Sequence, residues 1–328
     1  MAQFGGSLCH IGKVERVARQ VLRALRGKRS QRAFARRLGF RGNPMTDWEH
    51  GRRFPTAREA LRVAAIAGKD PRTALERFAP GVPLDFDDSG PKLGAWLAAL
   101  ANGITITELT ARSGLSRFAI GRWLSGQRQP RLPDFFRLVD AISGRLPDLV
   151  AELVPIAEVP ALAARHAAAE AARRLAYDEP WTEAILRVLE SPEYRGFPVH
   201  LEGYLAARLG LPPELERRAL ARLEAAGLVR FDGVRYAELR PMTVDTRGRR
   251  EALYALRSHW SQVAAARAAE PRADDFFAYN VLSVSAEDYA RIAELLRASY
   301  REIRSIVVSS EPADHVALVN LQLVGWND

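Results

Sequence analysis

Cysteine is almost missing from this chain of 328 residues: Cys9 is the only one. One thiol can neither staple a small fold with disulfides nor build a cysteine-based metal site, and such usage suits a reducing compartment. Histidine is sparse and scattered, at positions 10, 50, 166, 200, 259 and 315, with no pair at metal-binding spacing. Long hydrophobic runs are absent as well. No stretch reaches the roughly 18 apolar residues that a spanning helix needs. The opening segment lacks the apolar centre and small-residue cleavage site of a secretory signal. The expectation is a cytoplasmic protein without a membrane partner. Glycine-rich phosphate loops, nucleophile elbows and kinase signatures are all lacking, and no two carboxylates can be argued as an acid and base pair. Neither enzymatic activity nor a cofactor is therefore expected.

Acidic residues are scarce in one place only. Residues 1–80 hold 18 Lys and Arg against 6 Asp and Glu, a net of +12. The three following stretches are balanced: 8 against 8 over 81–155, 12 against 13 over 156–240 and 10 against 12 over 241–328. The whole excess of +9 thus resides in the first eighty residues. A compact basic domain on a near-neutral body is the electrostatic footprint of a nucleic-acid binder.

What is present is a repeat. Gly39, Trp48, Gly51, Pro55 and Pro80 recur 75 residues later as Gly114, Trp123, Gly126, Pro130 and Pro155. The apolar positions between them hold register: Phe34 with Leu109, Phe40 with Leu115, Met45 with Ile120 and Leu61 with Phe136. That period is longer than a solenoid unit and suits two copies of one small domain.

The first copy reads as five helices: Lys13 to Arg26, Gln31 to Leu38 with Ser30 as N-cap, Asn43 to His50, Ala57 to Ala67, and Pro71 to Phe78. Gly39 and Gly51 sit where a left-handed helix stop is needed, and Pro44 falls in a first turn where its missing N–H costs nothing. Ala35 is small where the second and third helices approach. Trp48 and Trp123 share a helical face with Met45 and Ile120, which makes them core residues.

The run Ser30-Gln31-(x)3-Ala35-(x)3-Gly39, followed by Trp48-Glu49-x-Gly51-Arg52-Arg53-x-Pro55, resembles the lambda-repressor-like (XRE-type) helix-turn-helix family. The second copy departs from it: Thr105-Ile106-Thr107 stands at the Ser-Gln position and Leu124 at the Glu position. In that motif the third helix enters the major groove of double-stranded DNA and its early residues meet base edges. The resemblance therefore implies base reading by Arg41, Asn43, Thr46 and Asp47 in the first copy, and by Arg117, Phe118 and Arg122 in the second. Arg suits guanine and Asn suits adenine, while Asp47 would accept from cytosine or pair with a neighbouring Arg. Lys28, Arg29, Gln31, Arg52, Arg53 and Arg128 would hold phosphates, which fix register without reading sequence. Asp85, Asp87 and Asp88 lie in the linker, away from that face. Two such readers on one chain would cover an asymmetric site.

In the second half, Ala161 to Leu175 reads as a connecting helix. Helices follow over Trp181–Leu189, Val199–Leu209 and Pro213–Ala226. A hairpin then turns at Asp232-Gly233 between residues 228 and 236. Three helices and a hairpin resemble a winged helix, although the mixed charge of its third helix, with Glu214, Glu216, Arg217, Arg218, Arg222 and Glu224, makes a poor DNA reader. A long helix from Arg249 to Ala269 carries Leu253, Leu256, Trp260 and Val263 on one face. The tail is expected as a small α+β module: strands over 276–285, 305–309 and 315–324, and a helix from Ala286 to Arg304. This half resembles a bacterial family of regulators whose C-terminal region is a domain of unknown function.

The fold expected is thus mainly α. Two tandem five-helix domains (1–80 and 81–158) precede a connecting helix with a winged-helix-like domain (159–245) and a long helix with an α+β module (246–328). The function expected is a sequence-specific DNA-binding transcription regulator, its second half serving dimerisation or the sensing of a signal or partner. The alternative is an adaptor that uses helix-turn-helix folds to dock protein or RNA, which the neutral second copy would allow.

Overall fold

A computed structural model describes residues 11–87, 90–239, 250–310 and 314–326. Cys9, His10, Asp88 and the boundary expected at residue 245 lie outside them. The protein is mainly helical and divides into two compact units, Met1–Glu170 and Ala171–Asp328.

The first unit opens with α1 (Ile11–Arg26), whose stripe of Val14, Val17, Ala18, Val21, Leu22 and Leu25 is buried. Apolar residues at helical spacing account for that face. Next come α2 (Gln31–Arg37), α3 (Pro44–His50), α4 (Ala57–Ile66) and α5 (Pro71–Phe78). The boundaries follow local chemistry. The Ser30 hydroxyl accepts from the Ala33 N–H at 3.2 Å, Pro44 opens α3, and Gly51 closes it at φ +79°. Thr56 and Glu59 cap α4 reciprocally, and Asp70 caps α5. A two-residue ribbon, β1 (Phe86–Asp87) with β2 (Gly90–Pro91), leads to the second set: α6 (Leu93–Leu100), α7 (Ile106–Ser113), α8 (Arg117–Leu124), α9 (Leu132–Ser143) and α10 (Leu146–Leu153).

Both sets share one hydrophobic core running from Val14 to Leu162. They meet in part at equivalent positions, while α1 also packs on α9. The Ala57 N–H donates to the Pro130 carbonyl at 2.9 Å, and the Leu132 N–H donates to the Pro55 carbonyl at 2.9 Å. Thr56 forms an antiparallel bridge with Arg131, its own counterpart 75 residues on. Helix α5 packs on α10, and Arg77 faces Glu152 at 3.9 Å, again counterparts.

A 3-10 turn (Ile156–Glu158) precedes α11 (Pro160–Asp178). The second unit contains α12 (Trp181–Glu190), α13 (Pro192–Gly196), α14 (Tyr204–Leu209) and α15 (Pro213–Ala225). The antiparallel pair β3 (Val229–Phe231) and β4 (Tyr236–Glu238) follows. The helix expected over 199–209 is shorter than the sequence predicts. Gly203 stands before it at φ +83°, a left-handed conformation in which no helix continues. The core here gathers Ile185, Leu186, Leu189, Tyr194, Leu205, Leu220 and Leu223.

The tail departs from expectation. Helix α16 (Arg250–Ala269) is present, with Leu256 buried and Leu253 and Trp260 half-buried, but Val263 is exposed. Helix α17 runs from Ala286 to Ser309, so residues 305–309 are helical, not a strand. Ser285 caps its start, and adding a turn to a formed helix costs only tenths of a kcal/mol per β-branched residue. Residues 276–285 and 315–324 join no ladder among the described residues. Their alternating apolar pattern fits strands, but a strand needs a neighbour, and the described residues form none beside them.

Candidate nucleic-acid interface

Helix α3 is held from below by a buried carboxylate. Glu49 is 2% exposed. Its oxygens accept from Arg26 Nε at 2.6 Å, Arg26 Nη2 at 3.0 Å and Gln31 Nε2 at 2.8 Å. The hydrogen bond to Glu49 raises the pKa of the Arg26 guanidinium against the opposing effect of burial. The chain of bonds continues upward: Thr46 Oγ1 donates to Gln31 Oε1 at 3.1 Å, and Asn43 Nδ2 donates to Thr46 Oγ1 at 2.7 Å. Charge-assisted bonds of this kind are stronger than neutral ones. They lock the ends of α1, α2 and α3 into one frame.

The expected contact residues fall into three groups. Arg41 and Asn43 are exposed in the turn before α3 and at its N-cap, and Lys28, Arg29, Arg52 and Arg53 are exposed on either side. Gln31 and Thr46 are half-buried and bonded to one another, so they order the start of α3. Gln31 keeps one amide hydrogen for an outside acceptor. Asp47 faces the neighbouring Arg52 at 3.6 Å. Trp48 and Trp123 are buried, Phe40 packing edge-on against Trp48 with ring centroids 5.6 Å apart.

In the second copy, the Ser116 hydroxyl accepts from the Ala119 N–H at 3.2 Å and starts α8 two residues earlier in the repeat than α3 starts. Arg117, Phe118 and Arg122 are exposed on it, Phe118 at 82%. Arg122 Nε lies 3.4 Å from the Phe118 carbonyl, and Arg128 is exposed beyond the helix.

The polar chain beneath α3 has no equivalent here. Ala101, Ile106, Gly121 and Leu124 occupy the positions of Arg26, Gln31, Thr46 and Glu49. The departures at 106 and 124 are therefore one concerted exchange of an ion-pair cluster for apolar packing. Sequence reading missed Arg26, whose partner lies 23 residues away; comparing it with Ala101 supplies the signal. Arg131 belongs with Arg117, Arg122 and Arg128 to the arginines around the third helix of the second copy and its exit. It bonds the Phe54 carbonyl at 3.0 Å and lines a shallow cavity with Arg53, Asp47 and Pro44.

In the second unit the charges of α15 are engaged in structure. Glu216 is 1% exposed and accepts from the Gly203 N–H at 3.0 Å and the Ala206 N–H at 2.7 Å, capping α14 from the neighbouring helix. Buried Glu179 pairs with Arg222 and with Arg218, the latter at 3.4 Å, and Glu224 accepts from the Phe231 N–H at 3.1 Å. The hairpin turn is fixed by Asp232, whose Oδ1 accepts from the N–H groups of Val234 and Arg235 at 2.9 Å. These bonds hold its pKa below the ordinary carboxylate range.

Among the described residues no group of three or more His, Cys, Asp or Glu could hold a metal, and no helix is long and apolar enough to cross a membrane. No curated protein and no solved structure matches the chain. Residues 177–325, most of the second unit, match the model of a family described as a domain of unknown function, DUF4423.

Proposed function

We propose that the protein is a sequence-specific regulator that binds double-stranded DNA through residues 13–80. In this reading α2, the turn at Gly39 and α3 are a helix-turn-helix of the lambda-repressor-like type, and α6 to α10 are a second domain of that type. The observation that carries the proposal is the coincidence of charge and geometry. The net +12 of the first eighty residues includes Lys28, Arg29, Arg52 and Arg53, all exposed around the exposed Arg41 and Asn43 at the start of a helix locked from beneath. A rigid reading helix within a phosphate-gripping rim is what groove recognition requires.

The second copy is the weaker reader, since Gly103, Ile104 and Gln127 stand where the first copy has Lys28, Arg29 and Arg52. Phe118, exposed in place of Asn43, supports the other reading, in which this copy docks a protein. The hairpin-bearing domain of the second unit is winged-helix-like and serves packing or partner contact. The tail serves self-association. No enzymatic activity and no cofactor are assigned, and the protein acts in the cytoplasm.

Fluorescence anisotropy of labelled duplexes drawn from a random pool, measured across a salt series, tests the proposal. With five or so phosphates held, log K should fall against log salt with a slope of about −4 to −5. Asn43→Ala should cost about 1–3 kcal/mol on the selected duplex and little on competitor DNA. Absence of binding at low salt, or equal binding to every duplex, would overturn it.

A further inference from the structure

At their seam the two copies of the repeat meet as about a local two-fold axis, a symmetry that the packing of α1 on α9 does not share. The bonds from Ala57 to Pro130 and from Leu132 to Pro55 are images of one another under the 75-residue offset. Thr56 opposes its own counterpart Arg131, α5 packs on its counterpart α10, and Arg77 faces its counterpart Glu152. Reciprocal contact between equivalent positions is the mark of an isologous, two-fold interface. Copies related by translation would instead join unlike patches, head to tail. The shared core from Val14 to Leu162 makes this arrangement part of the folded unit, not a loose tether.

We infer that one chain binds two unlike DNA half-sites in inverted orientation. The inference rests on the DNA-reading proposal and deepens it. B-DNA has its own two-fold axes perpendicular to the helix, so a two-fold pair of reading helices meets the duplex with matched polarity only when the half-sites point in opposite directions.

The half-sites are unlike because the reading positions are. Arg41, Asn43, Thr46 and Asp47 correspond to Ser116, Phe118, Gly121 and Arg122. Arg and Asn at the first helix suit guanine and adenine, whereas Arg117 and Arg122 at the second suit guanines alone. The first half-site supplies most of the affinity, because three of the four basic rim positions are lost in the second copy. A homodimer achieves this geometry with identical halves and a palindrome. Here duplication and divergence within one chain release the site from sequence symmetry while keeping its geometric symmetry.

Tethered DNA cleavage by the full chain distinguishes the outcomes. Arg32 and Thr107 are counterparts, both exposed near the starts of α2 and α7. Arg32→Cys and Thr107→Cys, each in a Cys9→Ser background and carrying an iron chelate, would be bound to a duplex selected by the unmodified protein. The expected result is two cleavage clusters placed as mirror images on opposite strands about one central base pair. Clusters displaced along the same strand would overturn the two-fold arrangement, and a cluster from the Arg32→Cys protein alone would overturn the second half-site. Either failure leaves the DNA-reading proposal standing, because a selected duplex exists. Failure to select any duplex removes that proposal and this one with it.

Discussion

Glu49 shows how one side chain can organise a surface it never reaches. Its burial is compensated by Arg26 and Gln31, and Gln31 passes the constraint to Thr46 and Asn43. Removing one partner of a buried ion pair leaves the other uncompensated, whereas replacing the whole set by apolar groups is close to neutral. Glu49→Leu alone should therefore destabilise the first unit by about 3 kcal/mol. The triple exchange Arg26→Ala, Gln31→Ile, Glu49→Leu, which installs the second copy's own residues, should cost less than the single change. Denaturant unfolding of the three proteins checks this, and a triple variant at least as destabilised as the single one would refute it. The caps were legible residue by residue: Ser30, Pro44, Gly51 and Asp232 each act where the sequence places them. The ion-pair cluster was not, because periodicity and capping are local signals and Arg26 and Glu49 are joined only by the fold.

At the level of elements, close approach matters as much as polarity. Gly94 is the second residue of α6, a helical position that alanine would ordinarily suit better. A Cβ at that position would stand 2.7 Å from the Gly126 Cα and 2.7 Å from the Trp123 carbonyl oxygen, both backbone atoms. Gly94→Ala must push α6 away from the exit of α8, and a net loss of about 1–3 kcal/mol is expected, seen as a lowered Tm. A raised Tm would mean that the helices can separate freely.

The hairpin offers a pH-dependent counterpart. Burial, then the neighbouring Glu190 carboxyl, pushes the Glu238 pKa from an ordinary 4.5 to about 8. The folded form thus holds a proton that the unfolded form has released, and stability falls as pH rises from about 4.5 to 8. Because the group is partly solvated, the loss is on the order of 1 kcal/mol. Glu238→Gln should flatten this slope in urea midpoints measured between pH 5 and 8.5; an unchanged slope would assign it to other groups. Neither feature was readable in sequence: a first-turn glycine and a strand glutamate look like weak propensity until their neighbours are known. The strands expected over 276–285 and 315–324 failed for a related reason, since alternation states a preference and only a neighbouring strand satisfies it.

The whole molecule leaves one demand unmet within a single chain. Between residues 250 and 326, Leu256 is the only hydrophobic residue buried among the described ones, while eighteen large hydrophobic side chains are exposed, among them Phe276, Tyr279, Val281, Leu321 and Trp326. Together these expose on the order of 1,500 Å² of apolar surface, more than the ~800 Å² that each partner buries in a standard interface. Patches of that extent on a monomer mark an interaction site. The unmatched parts are two extended apolar segments and the outer faces of α16 and α17. A second copy brings the same segments and faces, and a two-fold exchange would give each extended segment the strand it lacks. The full chain, 36.4 kDa by sequence, should therefore show twice that mass by light scattering at micromolar concentration. Val281→Lys, at a side chain 75% exposed in one chain, should return it to the monomeric mass without moving the unfolding of the core around Tyr194. A monomeric mass for the unaltered chain, or a dimer indifferent to charge at 281, would mean that these segments are covered by something other than a second copy.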